Sequence, residues 1–230
     1  MRTSEQFRNM IKASGVIQIP GCYDCITATI VERAGFPAAY LTGSGISLTL
    51  SGIPDLNTIS YLELRQVVQN IRSAIQIPML VDIDTGFGAP LNLYRLTKEF
   101  EQLDIAAVQI EDQKVPKKCG HELGRRLVRD EEMVKRIRTI HENRLENGLV
   151  IVARTDARTV VGLDEAIRRG RLYLDAGADV IFVESPESYE EVKKIASEIQ
   201  QRRGRAQPIP IQTGAGRGGG QDDDLSQCPD

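Results

Sequence analysis

The chain has 230 residues, with 29 Lys and Arg against 32 Asp and Glu, a formal charge of −3, and 41% hydrophobic residues. That length suits one large domain or two small ones, and the charge balance excludes whole-surface attraction to nucleic acid or anionic membranes. No apolar run approaches a membrane-spanning helix, "MRTSEQFRNMIKAS" opens as a polar helix without a signal peptide's apolar core, and four cysteines make no disulfide framework. The expectation is a cytoplasmic protein with reduced thiols.

Apolar runs then alternate with amphipathic ones. "GVIQIPG" (15–21) reads as a strand and "CITATIVERAG" as a helix. "AAYLTGSG" (38–45) is a second strand, and "LELRQVVQNIRSAI" (62–75) has helical spacing. "IPMLVDIDTGFG" (77–88) is a buried-type strand ending in acids and glycines, followed by the helical "LNLYRLTKEFEQLD". Next come the strand "IAAVQIEDQ", the helix "RDEEMVKRIRTIHENRLEN", the strand "GLVIVARTDAR", the helix "LDEAIRRGRLYLDAGA", the strand "DVIFVESPE" and the helix "YEEVKKIASEIQQRR". "QPIPIQ" (207–212) is a seventh strand candidate. Strict alternation predicts a parallel sheet covered by helices.

Polar residues fall at the C-terminal ends of these strands: Tyr40 and Thr42, Asp82 and Asp84, Glu111 and Asp112, Arg154 and Asp156, and Glu184. In a (β/α)8 TIM-type barrel that end carries the active site. The expected fold is such a barrel over residues 1–212, incomplete after about the seventh strand. A disordered Gly/Asp-rich tail is expected over 213–230. Residues 214–219 spell G-x-G-x-x-G, but no helical pattern follows to receive a pyrophosphate, so no dinucleotide is expected.

Asp82 and Asp84 lie two apart, so on a strand both face one way. Two like charges on an apolar strand call for a cation, and hard carboxylate oxygens suit Mg²⁺ or Mn²⁺. Glu111, on the next strand tip, can join through water. "KVPKKCGHELGRR" (114–126) places one cysteine and one histidine among five cationic side chains. Cations favour the thiolate, so Cys119 is a candidate nucleophile or general acid, tuned by Lys117, Lys118 and His121. Pro116 and Gly120 suit a loop that closes over substrate. Arg154, at a strand tip, can grip a carboxylate bidentately or pair with Glu111, Asp156 or Glu184. Cys22 and Cys25 form C-x-x-C without the context of a redox or zinc site and read as packing residues. His141 and the basic runs "RRGR" and "QQRRGR" read as surface.

The segments "YLTGSG", "PDL", "VDIDTGFG", "IEDQ", "KKCGH", "ARTDAR" and "VESP", in that order, resemble the isocitrate lyase/phosphoenolpyruvate mutase superfamily, over residues 5 to about 211. "KKCGH" matches the lyase signature K-[KR]-C-G-H. The branch most similar includes 2-methylisocitrate lyase, 2,3-dimethylmalate lyase and oxaloacetate hydrolase. The resemblance implies that Asp82, Asp84 and Glu111 hold Mg²⁺ directly or through water. It implies that Thr42, Gly43 and Ser44 bind an α-keto acid carboxylate, with Tyr40 and Asp55 lining the pocket. Arg154 would contact substrate oxygens, Glu184 would be an acid at the sixth strand tip, and Cys119 would be the catalytic acid beside Lys117 and His121.

The implied reaction is Mg²⁺-dependent carbon–carbon cleavage of a 2-hydroxy di- or tricarboxylate, such as 2-methylisocitrate, into pyruvate and succinate. The alternatives are oxaloacetate hydrolase, 2,3-dimethylmalate lyase and a catalytically inactive truncated isoform. The implied partners are a small anionic carboxylate and further copies of the chain, the family being commonly tetrameric. No nucleic acid and no membrane are expected. "IPIQTGAGRGGG" stands where the family has an asparagine-containing turn and a Gly-Thr-Pro-type segment, so a truncated barrel is expected.

Overall fold

Buried parallel strands need both faces covered, and the fold follows from that requirement. The computed structural model describes residues 1–13, 15–120, 122 and 124–200. In chain order the elements are α1 (Thr3–Lys12), β1 (Gly21–Cys22), α2 (Cys25–Arg33), β2 (Ala39–Leu41) and α3 (Gly43–Ser51). Then come α4 (Tyr61–Ala74), β3 (Met79–Asp82), α5 (Pro90–Gln102), β4 (Ala107–Glu111) and α6 (Asp130–Asn143). The last are β5 (Val150–Thr155), α7 (Ala157–Val161), α8 (Leu163–Asp175), β6 (Val180–Val183) and α9 (Tyr189–Gln200). All strand pairs are parallel, in the order β1-β2-β3-β4-β5-β6. This βα alternation, with six parallel strands among the described residues, is the order expected of a TIM-type barrel.

Local signals start the helices where the sequence places them. Ser60 Oγ accepts from the Glu63 N–H at 3.3 Å, while Glu63 Oε2 accepts from the Ser60 N–H at 2.7 Å. This reciprocal pair satisfies two donors at the start of α4. Asp24 caps α2 by accepting from Thr27 N–H at 2.7 Å, and Pro90 occupies the first turn of α5, where its missing N–H costs nothing.

The strands sort their side chains by alternation. Leu41, Val81, Val108, Ile110, Ile151 and Ile181 pack outward in the large core that the helices cover. Tyr40, Leu80, Ala107, Val150, Val152, Val180 and Phe182 form a second, inner cluster with Phe7 of α1. Continuing the inner phase toward the strand ends brings Asp82, Gln109, Glu111 and Arg154 to the inside. The sequence thus writes a hydrophobic floor and a polar rim on one face.

Helix α1 is tied beneath this floor. Arg8 Nη1 donates to Asp179 Oδ1 at 2.8 Å and Arg8 Nη2 to the Gly148 carbonyl at 3.0 Å. Arg144 also binds the Asp179 carboxylate, and the Ile151 N–H donates to its Oδ2 at 2.9 Å. Burial alone would raise this carboxyl, but Arg144 and Arg8 hold it below its usual range. Such a carboxylate contributes stability above its unfolded pKa, lost as pH falls through the lower folded value. Asp179→Ala is therefore expected to cost about 2 kcal/mol at pH 7. Denaturant unfolding checks this, and the deficit should shrink below pH 4.

Three expectations change. The 15–21 strand shortens to Gly21–Cys22. The Pro20 carbonyl accepts from the Tyr40 N–H at 2.9 Å, but proline has no N–H to continue the ladder, and Val16 is exposed. "TGSG" does not extend β2: Thr42 leaves it and the helix α3 begins at Gly43. "DAR" turns into the short helix α7 rather than prolonging β5. The 207–212 strand, the 214–219 glycine motif, the 213–230 tail, "QRRGR" at 201–205 and His121 lie outside the described residues. Among the described residues no helix is long and apolar enough to cross a membrane.

Candidate active site

Strand β3 ends at Asp82, and the chain then turns through Asp84 (φ +49°), Gly86 (+98°), Phe87 (+56°) and Gly88 (+132°). The two aspartates therefore do not converge by strand alternation, as the sequence reading supposes. A left-handed Asp84 brings its carboxylate back instead. Its N–H donates to Asp82 Oδ1 at 3.0 Å. Both carboxylates abut Gly43 at the start of α3, where a Cβ would lie 3.3 Å from Asp84 Oδ1 and 3.4 Å from Asp82 Oδ2. A side chain there would crowd both acids, which is why this helix opens on glycine.

Lys117 lies inside this acidic rim. Its Nζ is 2.6 Å from Asp84 Oδ1 and 2.7 Å from Asp55 Oδ2, and its side chain is 3% exposed. Burial works against the ammonium charge, but Asp84, Glu111, Asp82 and Asp55 outweigh it and raise the lysine above its ordinary value. The sequence reading makes Lys117 a tuner of Cys119. The structure directs its charge to the carboxylates, because the loop backbone turns the side chain inward.

Burial pushes the Asp84 carboxyl up to about 7; Lys117 opposes this, and Asp82 and Asp55 add to it. Burial likewise raises Glu111 well above the carboxylate range, against the pull of Arg154 and Lys117. Neither Glu111 oxygen accepts a hydrogen bond, and the Arg154 Nη1 is 3.5 Å from its Oε2.

Arg154 is gripped from three sides. It donates to Asp156 from Nε at 3.1 Å and Nη2 at 2.9 Å, and Glu184 Oε2 is 3.4 Å from Nε. The sequence reading names Glu111, Asp156 and Glu184 as possible partners, and the guanidinium meets all three. Asp112, grouped with Glu111 by its place in the sequence, points the other way. It accepts from Tyr173 at 2.7 Å, Thr155 Oγ1 at 2.8 Å, Arg169 Nη1 at 3.0 Å and the Asp156 N–H at 3.0 Å. Alternation separates the neighbours: Glu111 serves the rim, and Asp112 holds the strand end from behind.

The loop after β4 crosses this rim. Gln113 pins it by accepting from the Lys118 N–H at 3.0 Å and donating to the Lys118 carbonyl at 2.9 Å. Arg125 anchors the returning limb, donating to Asp156 Oδ1 at 2.7 Å and Thr159 Oγ1 at 2.6 Å. Gly120 passes so close to the site that a Cβ would stand 2.5 Å from Arg154 Nη2 and 2.9 Å from the Glu184 carboxyl carbon. Ser185 Oγ donates to the Gly120 carbonyl at 3.3 Å. Cys119, half-buried, thus sits between a residue paired with Asp55 and Asp84 and a residue packed on Arg154. Tyr40 reaches the rim from β2, its hydroxyl 3.1 Å from Asp82 Oδ2. Thr42 and Ser44 flank Gly43 at the N-terminus of α3, where free N–H groups favour an anion. Cys22 is buried, and burial lifts its thiol to about 12, which keeps it a packing residue. Gln109 and Arg125 are absent from the sequence-based candidates.

The donor set fits a divalent cation. Asp55, Asp82, Asp84 and Glu111 face one ammonium, and the guanidinium near Glu111 is shared with Asp156 and Glu184. Among the described residues no three acidic, histidine or cysteine side chains form a ready ligand cluster. The carboxylate oxygens of Asp82 and Asp84 are nonetheless the hard donor type that Mg²⁺ takes, which binds through one or two carboxylates and keeps several waters.

A protein-family model, phosphoenolpyruvate phosphomutase, matches residues 7–223. The chain is 42% identical over 199 residues to the 2,3-dimethylmalate lyase of Eubacterium barkeri, covering 86% of this chain and 69% of that one. It is 43% identical over 196 residues to the 2-methylisocitrate lyase of Halalkalibacterium halodurans, covering 85% and 64%. The chain spans about two thirds of the length of these curated relatives. Among solved structures, 2,3-dimethylmalate lyase superposes with a TM-score of 0.82 at 33% identity, over 89% of this chain and 68% of that one. Oxaloacetate acetylhydrolase with 3,3-difluorooxalacetate gives 0.81 at 31% identity, over 86% and 69%. Phosphonopyruvate hydrolase with oxalate and Mg²⁺ gives 0.75 at 30%, over 86% and 68%. The chain belongs to the phosphoenolpyruvate phosphomutase family, within the PEP mutase/isocitrate lyase superfamily.

Proposed function

We propose that this chain carries the site of a Mg²⁺-dependent carbon–carbon lyase, which cleaves a 2-hydroxy di- or tricarboxylate such as 2-methylisocitrate into pyruvate and succinate. The observation that carries the reading is the acidic rim of Asp55, Asp82, Asp84 and Glu111, faced by Arg154 and crossed by the Cys119 loop. The relatives named as lyases of methylated acids support it, as does the Mg²⁺ and oxalate bound by a similar hydrolase.

Asp82 and Asp84 would hold the metal, with Glu111 acting through water. Bound there, Mg²⁺ supplies Lewis-acid stabilisation of the oxygen charge that grows as the α-keto acid forms. Thr42, Gly43 and Ser44 bind its carboxylate through the free N–H groups that begin at Gly43 and through a hydroxyl, the Thr42 N–H itself donating to the Cys22 carbonyl at 3.1 Å, with Tyr40 and Asp55 on the pocket wall. Arg154, held in one orientation by Asp156 and Glu184, donates to substrate oxygens. A general base takes the hydroxyl proton, the O–H electron pair forms the C=O bond of the keto carbon, and the electrons of the broken C–C bond stay on the departing fragment. Cys119 Sγ–H, with His121 two residues along the chain, then gives its proton to that carbanion. The closed loop keeps water from competing for it.

Pyruvate release from 2-methylisocitrate, measured with Mg²⁺ and then with EDTA, tests the reading. Metal-dependent pyruvate supports it, and its absence on both 2-methylisocitrate and 2,3-dimethylmalate counts against it. Cys119→Ala is expected to lower kcat by about 10²–10⁴-fold while leaving thermal stability unchanged, as single-turnover assays and calorimetry would show. The similarity to oxaloacetate acetylhydrolase favours one second reading, hydrolysis of oxaloacetate to oxalate and acetate. Oxalate in a product assay identifies it.

A further inference from the structure

Gln109 lies in the middle of β4, between Val108 and Ile110, and is fully buried. An amide inside a barrel needs a reason, because burying it costs free energy unless both ends are bonded. Only one end is. Its Nε2 donates to the Tyr40 hydroxyl at 3.1 Å, while its Oε1 accepts no hydrogen bond. A leucine of similar size would avoid that cost, so stability does not account for the residue.

Its geometry does. The Tyr40 hydroxyl lies 3.1 Å from Asp82 Oδ2, and an ionised carboxylate only accepts. The single hydroxyl proton must therefore point at Asp82, and the amide must offer its N–H₂ to the hydroxyl oxygen. The alternative amide orientation would set two acceptors, Oε1 and Asp82, against one proton. Asp82 Oδ1 meanwhile accepts from the Asp84 N–H at 3.0 Å. Both oxygens are thus oriented by a donor, and each keeps lone-pair capacity for a cation.

We propose that Gln109 is a positioning residue, which fixes the Tyr40 hydroxyl as a donor to Asp82 and so holds this carboxylate in one orientation for metal binding. The inference rests on the reading of Asp82 as a Mg²⁺ ligand. Outer partners of metal ligands set affinity through orientation, and Gln109 acts one bond further out, through Tyr40.

The test is Mn²⁺ titration of the purified chain without substrate, following free Mn²⁺ by electron paramagnetic resonance. Gln109→Leu is expected to weaken Mn²⁺ binding by about 10–100-fold, with a melting temperature equal to wild type or higher. A purely structural glutamine would lower the melting temperature instead. Tyr40→Phe should lose a similar factor, and the double variant should be no worse than Tyr40→Phe alone. If Gln109→Leu does not fold, Gln109→Asn, one methylene too short to reach the hydroxyl, takes its place. Unchanged Mn²⁺ affinity, or losses that simply add, would overturn the proposal while leaving the metal site intact. A wild-type chain that binds no Mn²⁺ would overturn the metal reading and this inference with it.

Discussion

Lys117→Met is expected to destabilise the metal-free chain by about 3–5 kcal/mol and to abolish turnover. The lysine is buried against Asp84 at 2.6 Å and Asp55 at 2.7 Å, and methionine fills similar space without the charge. The variant leaves two carboxylates in a low-dielectric rim with no cation between them, and breaking a buried pair costs more than forming it gains. It also cuts the contact that ties the Cys119 loop to the floor of the site. Added Mg²⁺ should recover more melting temperature in Lys117→Met than in wild type, because the ion then meets Asp84 without a competing ammonium. Thermal melts with and without Mg²⁺ check both parts. A metal-free variant that melts with wild type would show that Lys117 does not hold these carboxylates.

The fold was legible because apolar runs and strand-end polar residues repeat with one period. Tyr40, Asp82, Glu111 and Arg154 share the inner phase of their strands, and the same alternation applied to "VQIED" puts Gln109 and Glu111 inside and Asp112 outside. A strict count would have found Gln109; grouping polar residues at a strand end hid it. The ion pairs of Lys117 with Asp55 and Asp84 are not legible in the sequence for another reason. Cys119 lies two residues along the chain, but a loop side chain's direction depends on backbone turns that pattern does not encode. Helix α3 was missed because "TGSG" has the composition of a turn, and its helical start relies on Gly43 fitting against two carboxylates. The shift of β1 had a visible cause in Pro20, whose missing N–H could have been weighed.

Asp84→Asn is expected to trade function for stability. Wild-type Asp84 has its carboxyl raised by burial to about 7 from the usual 3.8. For a carboxyl raised on folding, the stability contribution is full below the unfolded pKa and is lost as pH rises through the folded one. The metal-free protein should therefore lose stability between about pH 4 and 7 as this group is forced to ionise in the rim. Asparagine keeps the shape and cannot ionise. Lys117 retains Asp55 as its partner, so the variant should melt about 2–4 °C higher than wild type at pH 8, a gain on the order of 1 kcal/mol. The advantage should vanish toward pH 4, where wild-type Asp84 is neutral too. The same change removes a carboxylate from the metal rim, so turnover should fall by about 10³-fold or more. Melting curves in EDTA from pH 4 to 8, paired with Mg²⁺-dependent pyruvate release, measure both sides. An Asp84→Asn protein that melts below wild type at pH 8 would mean that the pairing with Lys117 outweighs the burial cost. One that keeps its turnover would remove Asp84 from the metal site.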